Sequence, residues 1–280
     1  MNPLTIFASR FVAGERPQDA VRVVERLQAK GIKATFDKLG EDVRDRDAAL
    51  RATAAACELL RLVPAGIERN ISIKMSSMGQ EISRDLCLEN VSKILDAARE
   101  TRGFVRLDME GSKLTESTLD IFHELRKRHD NVGIVLQAYL HRTPDDVKEA
   151  IRRKDRVRLC KGAYREPASV AIQDMADVRK AFTACAQELL SKGTYPAIAT
   201  HDEELVAGAI DFTRAQSIPP ARFEFQMLYG LRPRRWEELV AKGFSMRVYV
   251  PFGTHWIPYF YRRLRERREN VLFVLRGLFR

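Results

Sequence analysis

Apolar and polar positions along this chain fall into two alternating rhythms. Pro17 opens a stretch with apolar residues at Ala20, Val23, Val24 and Leu27, closed by Gly31. That spacing and those stops predict an amphipathic helix. Short runs rich in β-branched and aromatic residues follow and predict strands at 32–36, 70–75, 104–109, 133–137, 156–160, 195–200, 223–226 and 246–250. Between them helical periodicity covers 43–62, 84–100, 115–128, 144–152, 176–191, 203–215 and 234–241. After the eighth strand Pro251 and Gly253 break the chain, and Pro258 suits the first turn of one more helix. Strands alternating with helices at a spacing of roughly 30 residues call for a parallel sheet. Eight such units over this length predict an α/β protein folded as one (β/α)8 TIM-type barrel domain spanning 1–280, with a short N-terminal helical arm. A doubly wound open sheet is the second choice, but Asp37-Lys-Leu-Gly40 lacks the glycines of a dinucleotide-binding turn.

Composition narrows the class. At 280 residues and 45% hydrophobic content the chain can bury a full core. It contains no apolar run long enough to span a bilayer. Its first residues lack the basic start and apolar centre of a signal peptide. Cys57, Cys87, Cys160 and Cys185 are scattered without metal-binding spacing, which suits a reducing cytoplasm and gives no sign of a metal site. The formal charge is +10. From 261 to 280 there are seven Arg and two Glu, a net +5. No basic-aromatic interleaving accompanies this charge, so acidic small molecules or anionic lipid fit better than nucleic acid.

In barrels the working groups sit at the C-terminal strand ends. Here those ends carry Lys74, Asp108 with Glu110, Gln137 with Tyr139, Lys161, Thr200 with His201, Gln226 with Tyr229, and Tyr249. On the last helix Tyr259, Arg262, Arg263 and Glu266 share one face by their spacing. Two adjacent guanidinium forks suit a carboxylate or phosphate. A solvated basic face is the plainer alternative. Arg158, Lys161, Arg262 and Arg263 supply positive charge for a phosphate-bearing cofactor and an anionic substrate, and Gly162 allows close backbone approach. A Schiff-base aldolase or lyase using Lys74 or Lys161 remains open, as does a non-enzymatic anion-binding protein. Asp108, Glu110 and His201 offer a weaker metal site.

Nine segments, in order, carry a resemblance: Phe11-Val-Ala-Gly, Asp37-Lys-Leu-Gly-Glu-Asp-Val, Ser72-Ile-Lys-Met, Arg106-Leu-Asp-Met-Glu, Val135-Leu-Gln-Ala-Tyr, Arg158-Leu-Cys-Lys-Gly-Ala-Tyr, Ala199-Thr-His-Asp, Phe223-Glu-Phe-Gln-Met-Leu-Tyr-Gly and Arg247-Val-Tyr-Val-Pro-Phe-Gly. Together they resemble the proline dehydrogenase family, its bacterial monofunctional members most. The resemblance implies a distorted (β/α)8 barrel that binds FAD, oxidises L-proline to Δ1-pyrroline-5-carboxylate, and passes electrons to a membrane quinone. It implies that Arg262, Arg263 and Lys74 hold the proline carboxylate, with Glu266 orienting the arginine pair and Tyr259 packing over the ring. Tyr249, Asp108, Ala163 and Leu228 match the proline pocket. For FAD, it implies Arg158 near flavin N5, Gln137 at the pyrimidine edge, Lys161, Gly162 and Ala163 in the cofactor-facing turn, Thr200 and His201 on the adenosine side, and Gln226 in the same cofactor set. Two departures stand out: Gly111 where an acidic residue often follows Asp-Met-Glu, and Cys160 where an aliphatic is common.

The expected location is cytoplasmic, with peripheral association at the inner face of the plasma membrane. Val271-Leu-Phe-Val-Leu275, Leu278 and Phe279 among arginines fit either a basic amphipathic surface helix or a barrel helix packed on the core.

Overall fold

A computed structural model describes residues 10–40 and 43–256. The helix Pro17–Gln28 (α1) has Pro17 in its first turn and Asp19 close to its start. Its buried face, Ala20, Val21, Val23, Val24 and Leu27, is the apolar stripe of the sequence. The eight strands are Lys33–Lys38 (β1), Asn70–Lys74 (β2), Phe104–Asp108 (β3), Val132–Gln137 (β4), Arg156–Cys160 (β5), Ala197–Ala199 (β6), Glu224–Leu228 (β7) and Met246–Phe252 (β8). Every neighbouring pair is parallel, and β1 pairs with β8 from Lys33–Arg247 to Lys38–Phe252, closing the barrel. The connecting helices are Arg46–Leu62 (α2), Arg84–Glu100 (α3), Ser112–Arg126 (α4), Thr143–Arg152 (α5), Met175–Lys192 (α6), Glu203–Ala215 (α7) and Pro233–Ala241 (α8).

Boundaries differ from the periodicity where local chemistry overrides it. Helix α2 begins at Arg46 rather than at 43, because Asp45 caps it by accepting a hydrogen bond from the Ala48 N–H at 2.7 Å. Strand β6 spans Ala197–Ala199 only. Tyr195 stands at φ +46°, and Pro196 has no N–H to give to a ladder. Strand β1 runs past Phe36 to Lys38, which brings Asp37 into the barrel wall.

One apolar face of each strand packs outward against the helices. Ile71, Ile73, Val105, Leu107, Val157 and Leu159 are all within the core cluster. The alternate positions face the barrel interior, and here they are polar. Arg247 is the largest fully buried side chain among the described residues, donating to Glu224 Oε1 at 2.8 Å and to the Ala34 carbonyl at 2.7 Å. Arg106, also buried, donates to the carbonyl of Arg156 at 2.5 Å. Gln226 links Glu224 (2.5 Å) to Arg158 Nε (2.6 Å). The barrel is therefore filled by a connected polar network rather than by layers of aliphatic side chains, and that network leads upward to the C-terminal mouth. Among the described residues no helix is long and apolar enough to cross a membrane.

Candidate active site

The C-terminal mouth of the barrel opens into a cavity of about 510 Å³. Strands β2 and β3 place Lys74 and Asp108 side by side, as direct register partners. Lys74 is buried, its ammonium 3.1 Å from Asp37 Oδ1. Asp108 accepts from Arg158 Nη1 at 2.6 Å and from the Tyr249 hydroxyl at 2.7 Å. Arg158 also donates to Ser72 Oγ at 3.0 Å, and its guanidinium lies over the Tyr249 ring. Strands β1, β2, β3, β5, β7 and β8 thus contribute to one bonded cluster that no local stretch of sequence contains.

Burial shapes the charges. It pushes the Asp108 carboxyl above the usual range, against the pull of Arg158 and Lys74. Burial also drives the Tyr249 phenol well above its ordinary value, and the Asp108 carboxylate beside it adds to the effect. Tyr249 is thus a fixed hydrogen-bond donor.

A second group lines the same cavity. Lys161 follows β5 and lies 3.0 Å from Asp202 Oδ2, which also accepts from Arg179 Nε at 2.8 Å. Burial would raise the Asp202 carboxyl, but Lys161 and Arg179 bring it below its ordinary value. Gly162 stands at φ +118°, and a Cβ there would sit 2.2 Å from the Tyr139 ring. Only glycine combines that backbone with that approach. His201 Nε2 accepts from the Leu228 N–H at 2.9 Å, and Thr200 Oγ1 from the Asp202 N–H at 3.0 Å. Gln137 donates to the Glu110 carbonyl at 2.9 Å.

Of the residues singled out from sequence, Lys74, Asp108, Gln137, Arg158, Lys161, Gly162, Ala163, Thr200, His201, Gln226, Leu228 and Tyr249 all line this one cavity. Tyr259, Arg262, Arg263 and Glu266 lie outside the described residues. Asp37 and Met109 line the cavity too, and sequence reasoning missed them. Asp37 lies beyond the expected strand end at Phe36, and Met109 has the pattern of plain core. Two alternatives lose support. Glu110 is turned to Ser76, accepting from its N–H at 2.9 Å and its hydroxyl at 2.6 Å, and among the described residues no three acidic, histidine or cysteine groups converge as a metal site. Lys74 and Lys161 pair with the carboxylates of Asp37 and Asp202, an arrangement unlike the apolar pocket or neighbouring cation that activates a Schiff-base lysine.

The donor set fits a dinucleotide flavin. Arg158 and Lys161 supply positive charge, Val135, Met109, Met227 and Leu228 give apolar wall, and Thr200 and His201 add polar groups. Asp37 Oδ2, buried with no hydrogen-bond partner among the described residues, leaves an acceptor at the same cavity.

Comparison with known proteins agrees with this architecture. A family model described as proline dehydrogenase matches residues 20–276. Proline dehydrogenase 1 of Bacillus subtilis (strain 168) is 38% identical over 272 residues, covering 97% of this chain and 90% of that protein. Proline dehydrogenase of Deinococcus radiodurans is 39% identical, covering 97% of this chain and 89% of that protein. Among solved structures, proline utilization A from Bdellovibrio bacteriovorus inactivated by N-propargylglycine superposes with a TM-score of 0.85 at 27% identity, over 92% of this chain and 32% of that one. The chain is a flavin-dependent oxidoreductase and belongs to the proline dehydrogenase family.

Proposed function

We propose that this chain oxidises L-proline to Δ1-pyrroline-5-carboxylate in the barrel-mouth cavity, with FAD bound along the β4–β7 side and a membrane quinone as the final electron acceptor. The observation that carries it is the single cavity lined both by Lys74, Asp108 and Tyr249 and by Gln137, Arg158, Lys161 and Gly162. One set suits a small zwitterion, the other a large anionic cofactor.

Lys74 attracts the substrate carboxylate, assisted by Arg262 and Arg263, while Glu266 orients that pair. Tyr259, Ala163, Leu228 and Tyr249 bound the ring. Bound FAD supplies the hydride acceptor. The task left to the side chains is positioning: the ring must lie flat and close, and a rigid wall of strand-borne groups does this best. The Asp108–Tyr249 and Asp108–Arg158 bonds fix three of those groups without any flexible loop. Arg158, which would face the N5 edge of bound FAD, is held from both sides, by Asp108 and by Gln226. Gln137 would meet the pyrimidine edge of bound FAD. Lys161, Gly162 and Ala163 form the cofactor-facing turn, with Gln226, Thr200 and His201 completing the cofactor set. Loss of hydride from the carbon beside nitrogen requires a nitrogen lone pair, so the amine reacts unprotonated.

The experiment is product trapping. Purified protein supplied with L-proline and a soluble quinone should yield the yellow adduct of Δ1-pyrroline-5-carboxylate with o-aminobenzaldehyde. No adduct, with the protein folded and FAD bound, would contradict proline as the substrate.

A further inference from the structure

The segment joining β5 to α6, residues 161–174, is long for a barrel loop and has no helix or strand of its own. Loops of that length are usually functional. It lines the cavity from Lys161 through Glu166 and again with Ile172 and Gln173. Its two ends are tied to the neighbouring β4–α5 turn. At the start, the Tyr139 N–H donates to the Lys161 carbonyl at 2.9 Å. At the far end, the His141 N–H donates to the Val170 carbonyl at 3.0 Å and the Ile172 N–H to the Tyr139 carbonyl at 2.8 Å.

The middle of the loop lines the same cavity through Glu166 and also reaches α4. The half-buried Glu166 carboxylate accepts from the Ser112 N–H at 2.6 Å, and its second oxygen accepts from the Ser112 hydroxyl. Ser112 is the first residue of α4, and the cap position before it is Gly111, which has no side chain. Helices α2, α3 and α6 are capped by their own Asp45, Ser83 and Asp174. Helix α4 instead takes its anion from a residue 54 positions away in sequence. A carboxylate at a helix N-terminus is favoured by the free N–H groups and by the helix dipole. The contact joins the loop after β5 to the helix after β3, whose end carries Asp108 and Met109 in the cavity wall.

We propose that Glu166 is a positioning residue: by docking on the bare N-terminus of α4 it holds the β5–α6 loop against the cavity and slows release of the cofactor. The inference rests on the reading of that cavity as a flavin site. The glycine at 111 is part of the device, because a carboxylate at that position would cap α4 itself and repel Glu166.

The test compares four holoenzymes: wild type, E166A, G111D, and the double variant E166A/G111D. FAD release is followed by the rise in free-flavin fluorescence, and helix stability by thermal denaturation. In E166A, release should be faster by about tenfold, the worth of a charge-assisted pair of hydrogen bonds. In the double variant the introduced carboxylate recaps α4, so melting temperature should recover while fast release persists. G111D alone should also release quickly. If recapping restores slow release, Glu166 serves only helix stability and the proposal is overturned. Unchanged release in E166A overturns it as well. Amide hydrogen exchange across 161–174 gives a cofactor-independent arm, with faster exchange expected in E166A. Should the wild type bind no FAD, the reading of the cavity falls, and the exchange arm alone decides whether Glu166 holds the loop.

Discussion

Asp108 and Arg158, 50 positions apart in sequence, meet at 2.6 Å inside the barrel mouth with side chains only 14% and 7% exposed. Asp108 spends its other oxygen on Tyr249 at 2.7 Å. Replacing it by Ala leaves a buried guanidinium and a buried hydroxyl without their acceptor. Breaking a buried pair from one side typically costs about 3–5 kcal/mol. D108A should therefore melt well below wild type and lose most proline turnover. D108N, which keeps an acceptor for Tyr249, should lose less stability. Thermal denaturation of the two variants checks the order, and equal melting of D108A and wild type would contradict it.

Among the described residues Glu224 and Arg247 form the most deeply buried ion pair, at 2.8 Å with both side chains 2% exposed. Burial would raise the Glu224 carboxyl, but Arg247, Gln226 and Arg106 overcome it and hold it at about 2. A carboxyl whose folded pKa lies below its unfolded one binds fewer protons when folded. Its contribution is therefore complete above the unfolded value of 4.5 and is lost as pH falls towards about 2. At about 1.4 kcal/mol per unit this amounts to roughly 3–4 kcal/mol. Urea unfolding as a function of pH should show that loss, and E224Q should flatten it while lowering stability at neutral pH.

Gly162 joins a positive φ to contact with the Tyr139 ring. G162A adds a Cβ where that ring stands and strains the backbone, a cost on the order of 1–3 kcal/mol. FAD affinity should fall at least tenfold while the barrel's far-UV circular dichroism is kept. Titration of the apoprotein with FAD reads this, and unaltered affinity would remove the turn from the cofactor site.

Arg262, Arg263 and Lys74 are assigned to the substrate carboxylate. Removing such a group weakens ground and transition states together, so KM should rise more than kcat falls. Steady-state kinetics of R262A, R263A and K74A test it. A wild-type KM for proline in either arginine variant would detach that residue from the substrate.

The barrel itself is legible in the sequence because each strand's outward face is apolar and each connecting stretch has helical periodicity. Ile71 and Ile73, or Val105 and Leu107, mark a wall that must be covered by helices. The polar strand ends are legible for the same reason: a polar residue closing an apolar run is visible in one dimension. The interior is not legible. Arg106, Glu224 and Arg247 look like ordinary charges at solvent-facing strand positions, and only barrel closure, β1 against β8, turns those positions inward. Asp37 is lost to a strand boundary set two residues short. The Glu166–Ser112 contact spans two βα units, so no local pattern announces it.

The most direct measurement is the visible spectrum of the purified, FAD-loaded protein mixed with L-proline without oxygen. The account predicts that the flavin bands bleach and that a soluble quinone then restores them. A flavin that stays oxidised at saturating L-proline would contradict the assignment of the Lys74–Asp108–Tyr249 end of the cavity to proline.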